Sequence, residues 1–150
     1  MALNTQFSDT LVNAMANSFI TTFANAGIHI YTGTFTGSQV DGSRGISGTL
    51  LAMFTMPSPA FASPVSGVII ANAIPSSVAN GTGSPACVRF VKSNPNAGTN
   101  IVGGAANVDI LMDCTAGASD ANLIISPITS GTNVSIGSFT HEVTNATAGQ

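Results

Sequence analysis

Apolar positions along the chain change their spacing once, at Gly27. Before it, Phe7, Leu11, Met15, Phe19 and Phe23 recur every four residues, and Val12, Ala16 and Ile20 widen the stripe. That spacing predicts one amphipathic helix over residues 4–26, since residues three and four apart share a helix face. Asn4 or Ser8 suits the N-cap, and Asp9 suits the first turn. Gly27, after Asn25 and Ala26, suits a left-handed stop. Residues 1–26 therefore read either as a core helix packed on a sheet or as an arm packed on a neighbouring subunit.

After Gly27 the period becomes two. Ile28 and Ile30 alternate with His29 and Tyr31, and Leu50, Ala52, Phe54 and Met56 follow up to Pro57. Val68, Ile70 and Ile74, then Val88 and Phe90, then Ile110 and Met112, then Leu123 and Ile125 continue the pattern. Val134 and Ile136 precede Phe139, His141 and Val143, with a phase slip at Gly137-Ser138 that suggests a bulge. Short strands punctuated by Gly, Pro, Ser and Asn predict a mainly β fold. The expected form is an antiparallel β-sandwich or barrel, jelly-roll-like, over residues 27–143, with one N-terminal α-helix. Residues 34–48 and 93–107 read as long loops, and residues 144–150 as a polar tail.

Composition narrows the function. Charged residues are 6% of the 150, with three Lys+Arg and a net charge of −3. An ordinary domain carries roughly a quarter. So few cations cannot neutralise a row of phosphates, so no nucleic-acid partner is expected. The mean hydropathy is +0.40, yet the apolar runs are short, and none reaches the about 20 residues of a spanning helix. No membrane partner is expected. No basic residue precedes Arg44, so no secretory leader is read, and synthesis in a cytoplasm is expected.

Candidate chemistry is sparse. Asp109 and Asp113 fall four apart on a strand-like segment, hence on one face. With Asp120 they are read as solvated carboxylates rather than a calcium site, which would want more oxygen ligands. His141 and Glu142 are adjacent, so a strand turns them to opposite faces. No nucleophile elbow or phosphate loop is present. The chain is read as non-enzymatic, with no cofactor and no metal. Cys87 opens one strand and Cys114 closes a later one. If those strands pair, the thiols form either a disulfide or two buried free thiols.

Several segments together resemble small tailed-bacteriophage virion proteins. They are Leu11-Val12-Asn13-Ala14, Ile30-Tyr31-Thr32-Gly33, Gly48 to Ala52, Pro59-Ala60-Phe61 and Gly67 to Ile74. Val88-Arg89-Phe90-Val91, Met112-Asp113, Ala121 to Ile125 and Gly131 to Thr140 continue the series in order. The chain departs from the resemblance by an insert at Pro95 to Val108 and by Cys87 in place of an aromatic. The resemblance implies a capsid decoration (cement) protein that bridges major capsid protein subunits, as a homotrimer on the virion's capsid exterior, made in the host cytoplasm. A tail, neck or fibre component of the same virion is the alternative. Phe7, Leu11, Met15, Phe19 and Phe23 with the loop residues Asp41 and Arg44 are the expected contacts.

Overall fold

The computed structural model describes residues 7–36, 45–92, 110–118, 123–137 and 139–143. Its helix α1 spans Asp9–Thr22. The hydroxyl of Ser8 caps it by accepting from the backbone N–H of Leu11 at 3.3 Å, and Asp9 occupies the first turn. Asn4, the other expected cap, lies outside the described residues. The left-handed residue at the helix's end is Asn25 (φ 60°), not Gly27. Gly27 instead opens the first strand, where a Cβ would come within 2.8 Å of Val91 Cγ2 and 3.2 Å of His29 Nε2.

Among the described residues eleven strands follow this one helix, so the protein is mainly β, and its principal sheet curls into half a barrel. That sheet contains β1 (Gly27–Tyr31), β4 (Leu50–Thr55), β7 (Cys87–Val91), β8 (Ile110–Gly117) and β9 (Leu123–Ile124), in the order β4-β1-β7-β8-β9. Its first four strands are antiparallel neighbours, whereas β9 runs parallel to β8 and departs from the antiparallel expectation. Period two has its consequence in the register. Ile28 faces Phe54 and Phe90, Ile30 faces Ala52 and Val88, and Phe90 faces Met112, so these side chains share one side of the sheet.

Three short ladders complete the fold. β2 (Phe35–Thr36) pairs with β3 (Gly45–Ile46), β6 (Ser77–Val78) with β10 (Asn133–Val134), and β5 (Val68–Ile70) with β11 (Thr140–Glu142). The ends of the expected 34–48 loop are therefore tied together by β2 and β3. The expected bulged strand through Gly137 is instead two strands, β10 and β11, that enter different ladders. The helix and the β5–β11 side cover the apolar face of the sheet. Four phenylalanines from four segments meet there in a closed circuit. Ring centroids lie 6.0 Å apart for Phe23–Phe61, 5.6 Å for Phe61–Phe139, 5.7 Å for Phe139–Phe90 and 5.6 Å for Phe90–Phe23. Most of these contacts are edge-on or tilted, as ring quadrupoles favour.

The helix is located by Gly67. Its N–H donates to Asn13 Oδ1 at 2.9 Å, and its carbonyl accepts from the Val143 N–H at 3.1 Å. It holds φ +80°, and a Cβ there would overlap Val12 Cγ1 and press within 2.7 Å of the Val143 carbonyl. Both strain and overlap oppose any side chain. Replacing Gly67 with Ala should lower stability by about 2 kcal/mol or more. Urea unfolding followed by circular dichroism measures this, and a change below about 0.5 kcal/mol would show that the helix does not close against this turn.

Candidate functional site

Two regions concentrate unusual side chains. The first is the side of the sheet opposite the phenylalanine circuit. There β1 contributes His29 and Tyr31, β7 contributes Cys87 and Arg89, and β8 contributes Asp113. All five residues of β7 are buried, and Arg89 is 0% exposed. An interior guanidinium requires a matched anion. Register supplies it, because Arg89 lies directly opposite Asp113. Arg89 Nε donates to Asp113 Oδ1 at 2.8 Å and Nη2 donates to Oδ2 at 2.9 Å, a bidentate pair of two shielded side chains. The guanidinium carbon also lies 5.9 Å from the centroid of the Phe35 ring.

His29 sits across from Arg89 and is 1% exposed. Its Nδ1 lies 3.3 Å from the Tyr31 hydroxyl. Burial pulls the imidazole down to about 4, and the neighbouring Arg89 cation adds to that shift. His29 is therefore a neutral ring at pH 7. Tyr31 continues into a small apolar cluster with Ile46 and Cys87.

The cysteines divide between the two sides. Cys87 pairs with Thr115, while Cys114 pairs with Val88, so an offset of one residue sends the thiols to opposite faces. Both are free, and no disulfide joins them. Cys114 also lies within β8, not at its end. Burial pushes its thiol up to about 11, with Asp113 and then Cys87 contributing, which keeps it protonated and unreactive at neutral pH.

The second region is α1 and its surroundings. The expected stripe divides along its length. Phe7, Leu11 and Met15 are exposed by 36%, 45% and 41%, Phe19 is half-buried, and Phe23 is buried. Helix geometry explains the split. Residues four apart advance about 40° around the axis per step, so Leu11 and Phe19, both within α1, are about 80° apart. The buried line runs instead through Val12, Ala16 and Phe23. Beside Phe19 and Phe23 a cleft of about 280 Å³ opens, walled also by Phe61, Phe90, Met112 and Leu123, with Thr140 and His141 at its polar side. The His141 ring lies 4.6 Å from that of Phe19.

The remaining sequence candidates separate. Asp113 is committed to the Arg89 guanidinium; Asp109, Asp120, Asp41 and Arg44 lie outside the described residues, as does the 144–150 tail. No group of three or more His, Cys, Asp or Glu suited to a metal ion occurs among the described residues. No helix among them is long and apolar enough to cross a membrane. Glu142 is exposed and lies one residue from His141 on β11. The buried His29–Tyr31–Arg89–Asp113 group was missed by period-two reading, which treats alternate positions as solvent-facing. Its one visible signal was Arg89, a single cation inside an otherwise apolar strand. The chain matches no family model, and neither the curated proteins nor the solved structures yield a match.

The depressed histidine makes a pH prediction. The unfolded chain binds a proton on His29 near pH 6.5 while the folded one resists until about pH 4. The neutral ring's contribution is therefore complete above pH 6.5 and is lost as pH falls toward 4. Between pH 7.5 and pH 5 this term should remove about 2 kcal/mol. Replacing His29 with Gln should flatten that part of the stability profile in denaturant titrations. An unchanged profile would show that His29 is solvated.

Proposed function

We propose that the chain is a structural, non-enzymatic virion protein, and specifically a capsid decoration (cement) protein of a tailed bacteriophage. In this reading it stabilises the head by bridging major capsid protein subunits from the capsid exterior, as a homotrimer. The observation that carries the assembly role is the exposed pair Leu11 and Met15 along α1. Fully burying a large apolar side chain gains about 1.5–3 kcal/mol, so covering the part still exposed on Leu11 and Met15 gains about 1 kcal/mol each. A partner subunit supplies such cover, and point-group symmetry multiplies the contact.

Composition supports the same reading. A surface poor in Lys and Glu suits a protein that spends its life packed on another protein. The ordered series of segments shared with small phage virion proteins, from Leu11 to Thr140, supplies the viral context. The buried Arg89–Asp113 pair fits a structural role too, since both groups are used up holding β7 to β8.

Burial separates the stripe into core and surface positions. Phe23 is buried, so a charge there would unfold the domain, whereas Leu11 and Met15 are exposed and their replacement leaves the core alone. The double variant Leu11→Asp, Met15→Asp should keep the wild-type circular dichroism spectrum. It should sediment as a monomer where the wild type sediments as a trimer, and it should fail to bind protein-stripped heads. Purified particles should carry on the order of hundreds of copies, as icosahedral symmetry demands. A few copies confined to the tail would replace decoration with the tail, neck or fibre role. A wild-type monomer that binds no particle would overturn the assembly reading.

A further inference from the structure

We propose that the cleft beside Phe19 and Phe23 is a binding pocket for one small, uncharged, mainly apolar molecule about the size of a single substituted ring. The cleft holds about 280 Å³. An apolar cavity of roughly 150 Å³ already accepts benzene, so this one admits a substituted ring or a short branched chain. It is too small for a folded peptide segment. Its walls are fixed rather than loose. Phe19 stacks on Phe23 at 5.6 Å and 14°, and Phe23, Phe61 and Phe90 belong to the ring circuit. Such preformed apolar walls with a few polar groups at one side are the usual make-up of a small-molecule site.

The charge around the cleft selects a neutral occupant. Among its lining residues the one carboxylate is Asp113, and that group is held by Arg89 on the opposite side of the sheet. A charged guest would therefore lose its hydration with no Lys, Arg or uncommitted carboxylate among the lining residues to receive it. Thr140 and His141 provide hydrogen-bonding partners at one side, so a ring bearing a hydroxyl or amide should bind better than a bare hydrocarbon. The occupant is a free molecule, not a partner's side chain. A cleft of this volume holds one ring without the backbone that a partner's side chain brings with it. Binding here does not depend on the assembly reading, because it is a property of the isolated chain.

The test is a titration of methyl-labelled protein by carbon–proton NMR, reading the Met112 and Leu123 methyl groups, with Met53 as a remote control. Toluene and benzyl alcohol are the probes, benzoate and benzylammonium their charged counterparts, and N-acetyl-phenylalanine amide stands for a protein side chain. Toluene and benzyl alcohol should give saturable shifts at Met112 and Leu123, with dissociation constants below about 5 mM and benzyl alcohol the tighter. The charged probes should bind at least tenfold more weakly. Leu123→Trp should fill the cleft and weaken toluene binding at least tenfold, and Met112→Trp repeats the test should that variant misfold. No saturable shift up to the solubility of toluene, equal binding of the charged probes, or undiminished binding in a folded filled variant would overturn the proposal. Tenfold tighter binding of N-acetyl-phenylalanine amide than of benzyl alcohol would also overturn it, by assigning the pocket to a protein partner.

Discussion

The Arg89–Asp113 pair constrains more of this molecule than any other contact. A guanidinium and a carboxylate taken out of water each lose several kcal/mol of hydration, which is recovered only by close, bidentate geometry. That geometry exists because β7 and β8 pair in a register that sets Arg89 opposite Asp113. Slipping the ladder by one residue would separate the charges and turn Met112 to the opposite side from Phe90. The pair therefore acts as a register lock for the central ladder. It also fixes the surroundings of His29, whose ring stays neutral partly because Arg89 lies beside it.

The other side of the same strand is held by the opposite kind of force. Phe90 joins Phe23, Phe61 and Phe139 in one ring circuit that ties the end of α1 and the segment before β11 to the sheet. Dispersion and area burial act there without direction, so they fill space but do not choose a register. The polar side chooses it. On the outer edge of α1, Leu11 and Met15 stay exposed and serve as the contact between subunits in the proposed assembly.

Much of the fold was legible because the underlying period is simple. Ile28 and Ile30, Leu50, Ala52 and Phe54, and Val88 and Phe90 are apolar at every second position, and each lies on a strand of the main sheet. β2, β3, β6 and β10 are two residues long, and two residues contain no period. The jump between ladders at Gly137 looks like a bulge for the same reason, since a phase slip does not say which partner each side will find. Period two also implies a wet face wherever side chains are polar. His29, Tyr31 and Arg89 contradict that because the sheet is covered on both sides, a tertiary fact invisible in one strand. The cysteines needed the register to one residue, and the thiols fall on different faces because Cys114 meets Val88 and not Cys87. On the helix, a four-residue spacing reads as one stripe, although the about 40° drift per step turns Leu11 outward and Phe19 toward the sheet.

The register lock is tested most directly by a double-mutant cycle on Arg89→Met and Asp113→Leu, with stability read from urea unfolding at pH 7.5. Each single replacement leaves a buried charge without its partner and should remove about 3–5 kcal/mol, while the double replacement should recover most of that loss. Single losses below about 1 kcal/mol that simply add in the double variant would contradict the account, because the pair would then be a solvated contact with no hold on the sheet.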